Sequence, residues 1–148
     1  MKFIIFISTL FIVAGCTTML LQPADFSWPV ESVLKVDDKG FVSEERYTFD
    51  INVKPIFYEE FKDSNSVSGK EIRVIRDKVG HYYFTGAGFK NIYMFKSVEG
   101  GMKLEDKISI SDSLALQKPA FNQKPAYVEL IDGPNKYLVT GAEIVRSK

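Results

Sequence analysis

The chain has 148 residues, 19 Lys and Arg against 19 Asp and Glu, 45% hydrophobic residues, and one each of cysteine, histidine and tryptophan. That length is one domain's worth, and twelve Phe with seven Tyr offer enough apolar area to exclude whole-chain disorder. Zero formal charge gives no long-range attraction for phosphate backbones, so no nucleic-acid partner is expected; the single cysteine excludes an intramolecular disulfide and any metal centre built on thiolates.

At the N-terminus Lys2 precedes twelve uncharged residues, Phe3 to Ala14, and the run ends Val13-Ala14-Gly15-Cys16. Twelve residues suit the apolar region of a signal peptide and fall short of the roughly 20 that span hydrocarbon as a helix. A branched apolar residue, two small ones and a cysteine resemble the lipobox of bacterial lipoproteins, a resemblance confined to the first 16 residues. It implies cleavage between Gly15 and Cys16, a diacylglyceryl group on the Cys16 sulfur, and acylation of the new amine by a palmitate-type chain. Two or three such chains anchor a protein stably to a membrane. Thr17, where an Asp would favour inner-membrane retention in enteric-type bacteria, implies the outer membrane where the organism has one, and in a Gram-negative organism the expected side is the periplasmic face. The expected organisation is a signal peptide over 1–15, a lipidated tether over 16–29 and a single β domain over 30–148. Processing removes Lys2 and leaves 133 residues with a net charge of −1. Pro23 and Pro29 bias the residues before them toward extended backbone, and Phe26 and Trp28 are expected to dock on the domain.

From residue 30 the hydrophobic period is two. Val30–Val36 reads as a strand that leads into the turn Asp37-Asp38-Lys39-Gly40, and Phe41–Tyr47 follows. Arg46–Lys54 alternates most cleanly, with Tyr47, Phe49, Ile51 and Val53 apolar between polar neighbours, the pattern of a half-buried antiparallel strand. Pro55–Phe61 reads as either one helical turn, with Pro55 suited to a first helical position, or continued strand. Ser64–Gly69 is a polar loop. Glu71–Arg76 and His81–Thr85 form an expected hairpin around Lys78-Val79-Gly80, and Asn91–Val98 with Met102–Ser111 another around Glu99-Gly100-Gly101. Over 111–126, Asp112 is expected to cap a short helix through Gln117, and the repeated Lys118-Pro119-Ala120 and Lys124-Pro125-Ala126 suggest an extended loop with Phe121 near its tip. Tyr127–Ile131, Tyr137–Thr140 and Glu143–Arg146 close the chain as strands. The fold class is therefore all-β: a compact antiparallel β-sandwich or small β-barrel of about eight to ten short strands, in which sequential strands pair.

No constellation names a reaction. Twelve serines face a lone His81, and no Gly-x-Ser-x-Gly elbow occurs. The pairs Asp37-Asp38, Glu44-Glu45 and Glu59-Glu60 offer carboxylates for glycoside chemistry, but neighbours on a strand point to opposite faces and read first as solvated charge. No Asp-x-Asp-x-Asp-Gly loop occurs, and neither metal nor cofactor is expected. Gly86-Ala87-Gly88 reads as a turn before it reads as a phosphate cradle.

The aromatic density is the most suggestive feature. Tyr82, Tyr83, Phe89 and Tyr93, with Phe121 further on, are either core or a binding face, and packing in a core is the default. The functional expectation is a membrane-anchored, non-catalytic envelope module that contacts a protein or an envelope polymer. A small barrel carrying a lipid or another apolar ligand is the alternative, and a hydrolase using His81 or a carboxylate pair comes third.

Overall fold

The period-two segments become eleven strands and one helix in a computed structural model that describes residues 30–45, 49–111, 114–124, 126–141 and 143–147. The strands in chain order are β1 Ser32–Lys35, β2 Phe41–Glu44, β3 Phe49–Asn52, β4 Glu71–Arg76, β5 His81–Thr85, β6 Asn91–Val98, β7 Gly101–Ser109, β8 Pro119–Lys124, β9 Tyr127–Asp132, β10 Asn135–Thr140 and β11 Glu143–Ser147, with α1 Lys54–Phe61 between β3 and β4. Every pairing is antiparallel.

Two meanders carry the architecture. Strands β4 to β7 run side by side and take β1 beside β4, giving the order β1-β4-β5-β6-β7; strands β8 to β11 form a second sheet, and β2 pairs with β3. Tight turns after β4, β6 and β9 explain the meanders, because short connections leave sequential strands no partner but each other. The two sheets pack as a β-sandwich, and no closed barrel forms. Strands β7 and β11 each keep one paired neighbour among the described residues.

Strand pairing decides what each aromatic does. Tyr83 stands opposite Ile75 and Met94, and Ile92 opposite Ile108, on the face turned to the second sheet. Phe84 stands opposite Val74 and Tyr93, and Tyr82 opposite Phe95, on the other face. That face is covered by α1 and the β2–β3 hairpin: Phe57 meets Phe89 edge-on at 5.3 Å, and Phe49 meets Tyr82 edge-on at 6.2 Å. The central strands are therefore apolar on both sides because both sides are covered, and the core runs through three layers.

The stretch leading into β1 ties the two sheets together. Val30 bridges Asn122 of β8. The Glu31 carboxylate then binds the Arg73 guanidinium of β4 with one oxygen and accepts the Phe121 N–H at 2.7 Å with the other. Its side chain and that of Arg73 are both largely out of water, so the charges are held by geometry as well as by attraction.

Three expectations change. The Arg46–Lys54 strand is shorter: β3 ends at Asn52, and Lys54 already opens α1. Residues 46–48, with Tyr47, lie outside the described residues. Pro55 suits the first helical turn and lacks an N–H that the ladder would need, which decides between the two readings of 55–61. The helix ends at Lys62, left-handed at φ 56°, whose N–H returns to the Tyr58 carbonyl at 2.8 Å. Second, no helix forms over 114–117; Asp112 is outside the described residues. Third, the 118–126 loop is in fact strand β8, fully registered with β9 from Pro119 to Lys124. A Pro at the first position of a strand forfeits only a donor that the ladder does not require. Phe121 is then no loop tip: it is buried, opposite Leu130, in the face turned to the core.

Candidate functional site

Gly15, Cys16, Phe26 and Trp28 lie outside the described residues. No helix among the described residues is long and apolar enough to cross a membrane.

The five aromatics singled out as a candidate binding face are core residues. Tyr82, Tyr83, Phe89, Tyr93 and Phe121 are all buried. Phe89 is enclosed by the rings of Phe57, Phe61 and Tyr93 at 5.3, 5.5 and 6.3 Å. The Tyr93 hydroxyl donates to Glu60 of α1 at 2.9 Å, and burial together with that carboxylate pushes its pKa far above the ordinary phenol value. Glu60 also accepts from Asn91 Nδ2 at 2.7 Å and from the Lys90 N–H at 3.0 Å, so it fastens the helix to the sheet. These burials agree with core packing, the default reading of the aromatics, and a contact surface has to be sought elsewhere.

His81 is held between two carboxylates. Nδ1 lies 3.0 Å from Asp77 Oδ2 and Nε2 lies 3.1 Å from Glu105 Oε2. Asp77 also accepts from the Tyr83 hydroxyl at 3.0 Å and from the N–H groups of Val79, Gly80 and His81 between 2.7 and 2.9 Å. Burial works against ionisation of Asp77, but these donors outweigh it and hold the carboxyl below its usual value. Burial first, and the Asp77 charge second, push Tyr83 well above the usual phenol range, so its hydroxyl stays a donor. Nucleophilic catalysis requires a nucleophile hydrogen-bonded to the base. Here both ring nitrogens face carboxylates, in an arrangement that closes the β4–β5 turn. The adjacent cleft, of about 200 Å³, is smaller than the usual range for ligand pockets, roughly 300–1,000 Å³.

The paired carboxylates are likewise occupied one at a time. Glu59 binds Lys107 at 2.7 Å, whereas Glu60 faces inward as above. Asp37 accepts from the Lys39 and Phe41 N–H groups and shapes the turn, while Asp38 accepts from Ser68. Glu44 is buried and Glu45 exposed. Among the described residues no group of three or more His, Cys, Asp or Glu is placed to hold a metal ion.

Gly86-Ala87-Gly88 forms a turn. The Gly88 N–H donates to the Leu116 carbonyl at 2.7 Å and the Phe89 N–H to Gly86 at 3.2 Å, leaving neither amide for a phosphate. A Cβ on Gly86 would stand 3.1 Å from the Glu71 carbonyl, so the glycine serves close approach of two backbones.

The surface feature that invites a ligand is an open groove of about 810 Å³ between the β2–β3 hairpin, the start of α1 and the β6–β7 hairpin. Phe49, Ile51, Tyr82, Phe95, Met102 and Leu104 supply its apolar wall, with Asp50, Asn52 and Ser97 as polar groups. It exists because the β6–β7 hairpin runs on past the helix, so the outer face of the end of β6 and the start of β7 is left bare. Leu104 is 46% exposed there. Sequence inspection missed it. The available signal was Met102 and Leu104, apolar at alternate positions among Lys103, Glu105 and Asp106 on an otherwise charged strand.

No family model matches the chain, and no curated protein or solved structure matches it significantly.

Proposed function

We propose that this chain is a lipid-anchored, non-catalytic module of a bacterial cell envelope that grips an extended apolar segment of a protein partner. The observation that carries the reading is the groove of about 810 Å³ beside an unpaired strand edge. Met102 and Leu104 alternate along β7 toward the groove, and the other edge of β7 has no neighbour among the described residues. A partner strand laid along that edge would pair with free backbone groups and turn every second side chain into the groove. The lipobox at residues 13–16 supplies the anchor through Cys16 and places the module at the envelope, on the periplasmic face of the outer membrane.

A carrier of a small apolar ligand is the second reading. It is favoured by the groove's volume, which lies in the range of about 300–1,000 Å³ common for small-molecule sites. The ligand would sit in this open groove, since no barrel interior exists.

Purification of the full lipidated chain from gently solubilised membranes, with mass spectrometry of proteins and lipids, tests both readings. The expected result is a stoichiometric protein partner that is lost from Leu104→Asp, whose melting temperature stays close to wild type because exposed substitutions cost within about 0.5 kcal/mol. A small molecule in place of a protein would favour the carrier. Equal retention by wild type and variant would remove the groove from the mechanism. Cys16→Ser should strand an unprocessed precursor; a normally sized, membrane-bound product of that variant would refute the anchor.

A further inference from the structure

Two rows of side chains on the β8–β11 sheet face the first sheet, and both run out of the core at β11. Phe121, Leu130, Tyr137 and Arg146 stand in register across the strands, as do Gln123, Val128, Val139 and Ile144. Phe121 and Leu130 are buried, Tyr137 is half-buried and Arg146 is exposed. Val128 and Val139 are likewise buried and Ile144 half-buried. The first sheet therefore stops covering the second before its last strand, and a guanidinium ends a row of core side chains.

This uncovered margin meets Ile110, Ser111 and residues 114–117 across a cleft of about 480 Å³. Ile110, Leu116, Tyr137 and Ile144 give it an apolar lining, and Asp132, Asn135 and Arg146 are among its polar groups. The wall opposite β10 and β11 is fixed. The Gly88 N–H donates to the Leu116 carbonyl at 2.7 Å, and the Leu116 N–H donates to the Phe89 carbonyl at 2.8 Å. Asp132 accepts the Gln117 N–H at 3.1 Å and the Lys118 N–H at 2.7 Å. The cleft is thus preformed, and its volume lies in the range of ligand sites, roughly 300–1,000 Å³.

Its two charges are unequally engaged. Both oxygens of Asp132 are taken up by backbone donors. Arg146 Nη2 donates to Asn135 Oδ1, and among the described residues no carboxylate pairs with the guanidinium. A guanidinium carries its donors in a planar fork that matches a carboxylate by two-point contact. One unmatched cation beside an apolar wall suits a ligand with a single negative charge and an apolar body. A phosphate monoester, with up to about two charges at neutral pH, calls for more donors than this lining holds.

We propose that the cleft between the 114–117 segment and strands β10 and β11 binds a small organic monocarboxylate. Its carboxylate meets Arg146 and Asn135, and its apolar body lies against Leu116, Tyr137 and Ile144. The site is separate from the groove at the β6–β7 hairpin and needs neither lipidation nor a protein partner, so it stands or falls apart from the reading above.

Isothermal titration of the full lipidated chain in a nonionic detergent, with empty micelles as the blank, tests the site. The probes are octanoate and phenylacetate, with phenylethanol as an uncharged counterpart. The expected result is saturable binding of at least one acid at millimolar concentration or below, and none of the alcohol. Arg146→Gln should weaken that binding about ten-fold or more, the scale of a charge-assisted hydrogen bond. Arg146→Lys, which keeps the charge without the fork, should weaken it less. Both variants should melt near wild type, because Arg146 is exposed. Wild-type protein that binds neither acid overturns the proposal. So does binding that Arg146→Gln leaves unchanged, which would put the acid in the micelle or elsewhere on the protein. Binding that is lost from Leu104→Asp and kept by Arg146→Gln places the acid in the β6–β7 groove and overturns it as well.

Discussion

Phe89→Ala is expected to lower folding stability by about 3–5 kcal/mol, the usual cost of emptying a buried aromatic site. Phe89 is fully buried, and three of its neighbours are rings fixed to two different elements: Phe57 and Phe61 on α1, Tyr93 on β6. The cavity cannot close by one side chain moving, because α1 is pinned to the sheet by Glu60. On the other side, the 114–118 segment is hydrogen-bonded to Phe89 and Gly88 through Leu116. A domain of this size is stable by about 5–15 kcal/mol in all, so the variant should be the most damaged single substitution in the helix layer. Urea denaturation measures it. The midpoint should fall with the slope unchanged, and Phe89→Leu should recover most of the loss. A midpoint within experimental error of wild type would mean that the ring cluster is not the joint between α1 and the sheet.

Asp77→Asn is the second large effect, at about 2–4 kcal/mol near neutral pH, because donors to a carboxylate lose a charge-assisted bond and the Asn amide turns a donor toward them. Five donors converge on Asp77, among them the hydroxyl of the buried Tyr83. Its pH dependence has a definite sign. The folded carboxyl titrates below the unfolded one, since the donors more than offset the burial that opposes its charge. Its contribution is thus complete above the unfolded value of about 4 and is lost as the pH falls through the lower folded value. The stability gap between wild type and Asp77→Asn should therefore be wide at neutral pH and narrow below about pH 4. Denaturation midpoints at a series of pH values give that difference directly. Curves that stay parallel into acid would show that the Asp77 charge is not what holds the turn.

The two aromatic alternatives illustrate how far local pattern carries. Aromatics on both faces of 82–84 mean that both faces are covered or that one is offered to a partner, and periodicity is the same in either case. Only the placement of α1 and the β2–β3 hairpin over Tyr82 and Phe84, and of the second sheet over Tyr83, decides for the core. The groove was illegible for the converse reason. Phe95, Met102 and Leu104 read as ordinary strand residues, and they become a surface only because the covering layer stops short of the β6–β7 hairpin. Strand β8 was hidden by Pro119 at its start and by Pro125 in the sequence beyond its end. Pro119 and Pro125 signal a loop wherever the neighbouring strands are unknown, yet at the first position of an edge-ward strand a proline costs little.

By itself the amino-acid sequence determined that this is an all-β domain, because strict alternation over four to nine residues admits no helix that buries one face. It also located most turns, since Gly and Asp at 37–40, 77–80, 99–101 and 132–133 meet backbone demands that few other residues meet. The apolar run and the lipobox-like residues within 3–16 are equally local, and they carry the expectation of an anchor without any fold. What lies far apart in sequence was decided by tertiary structure alone: β1 crossing to β4, Glu31 joining Arg73 to Phe121, His81 meeting Glu105, and the open groove between layers. Each depends on relative placement of elements separated by tens of residues, and packing of whole faces sets that placement rather than the preference of any segment.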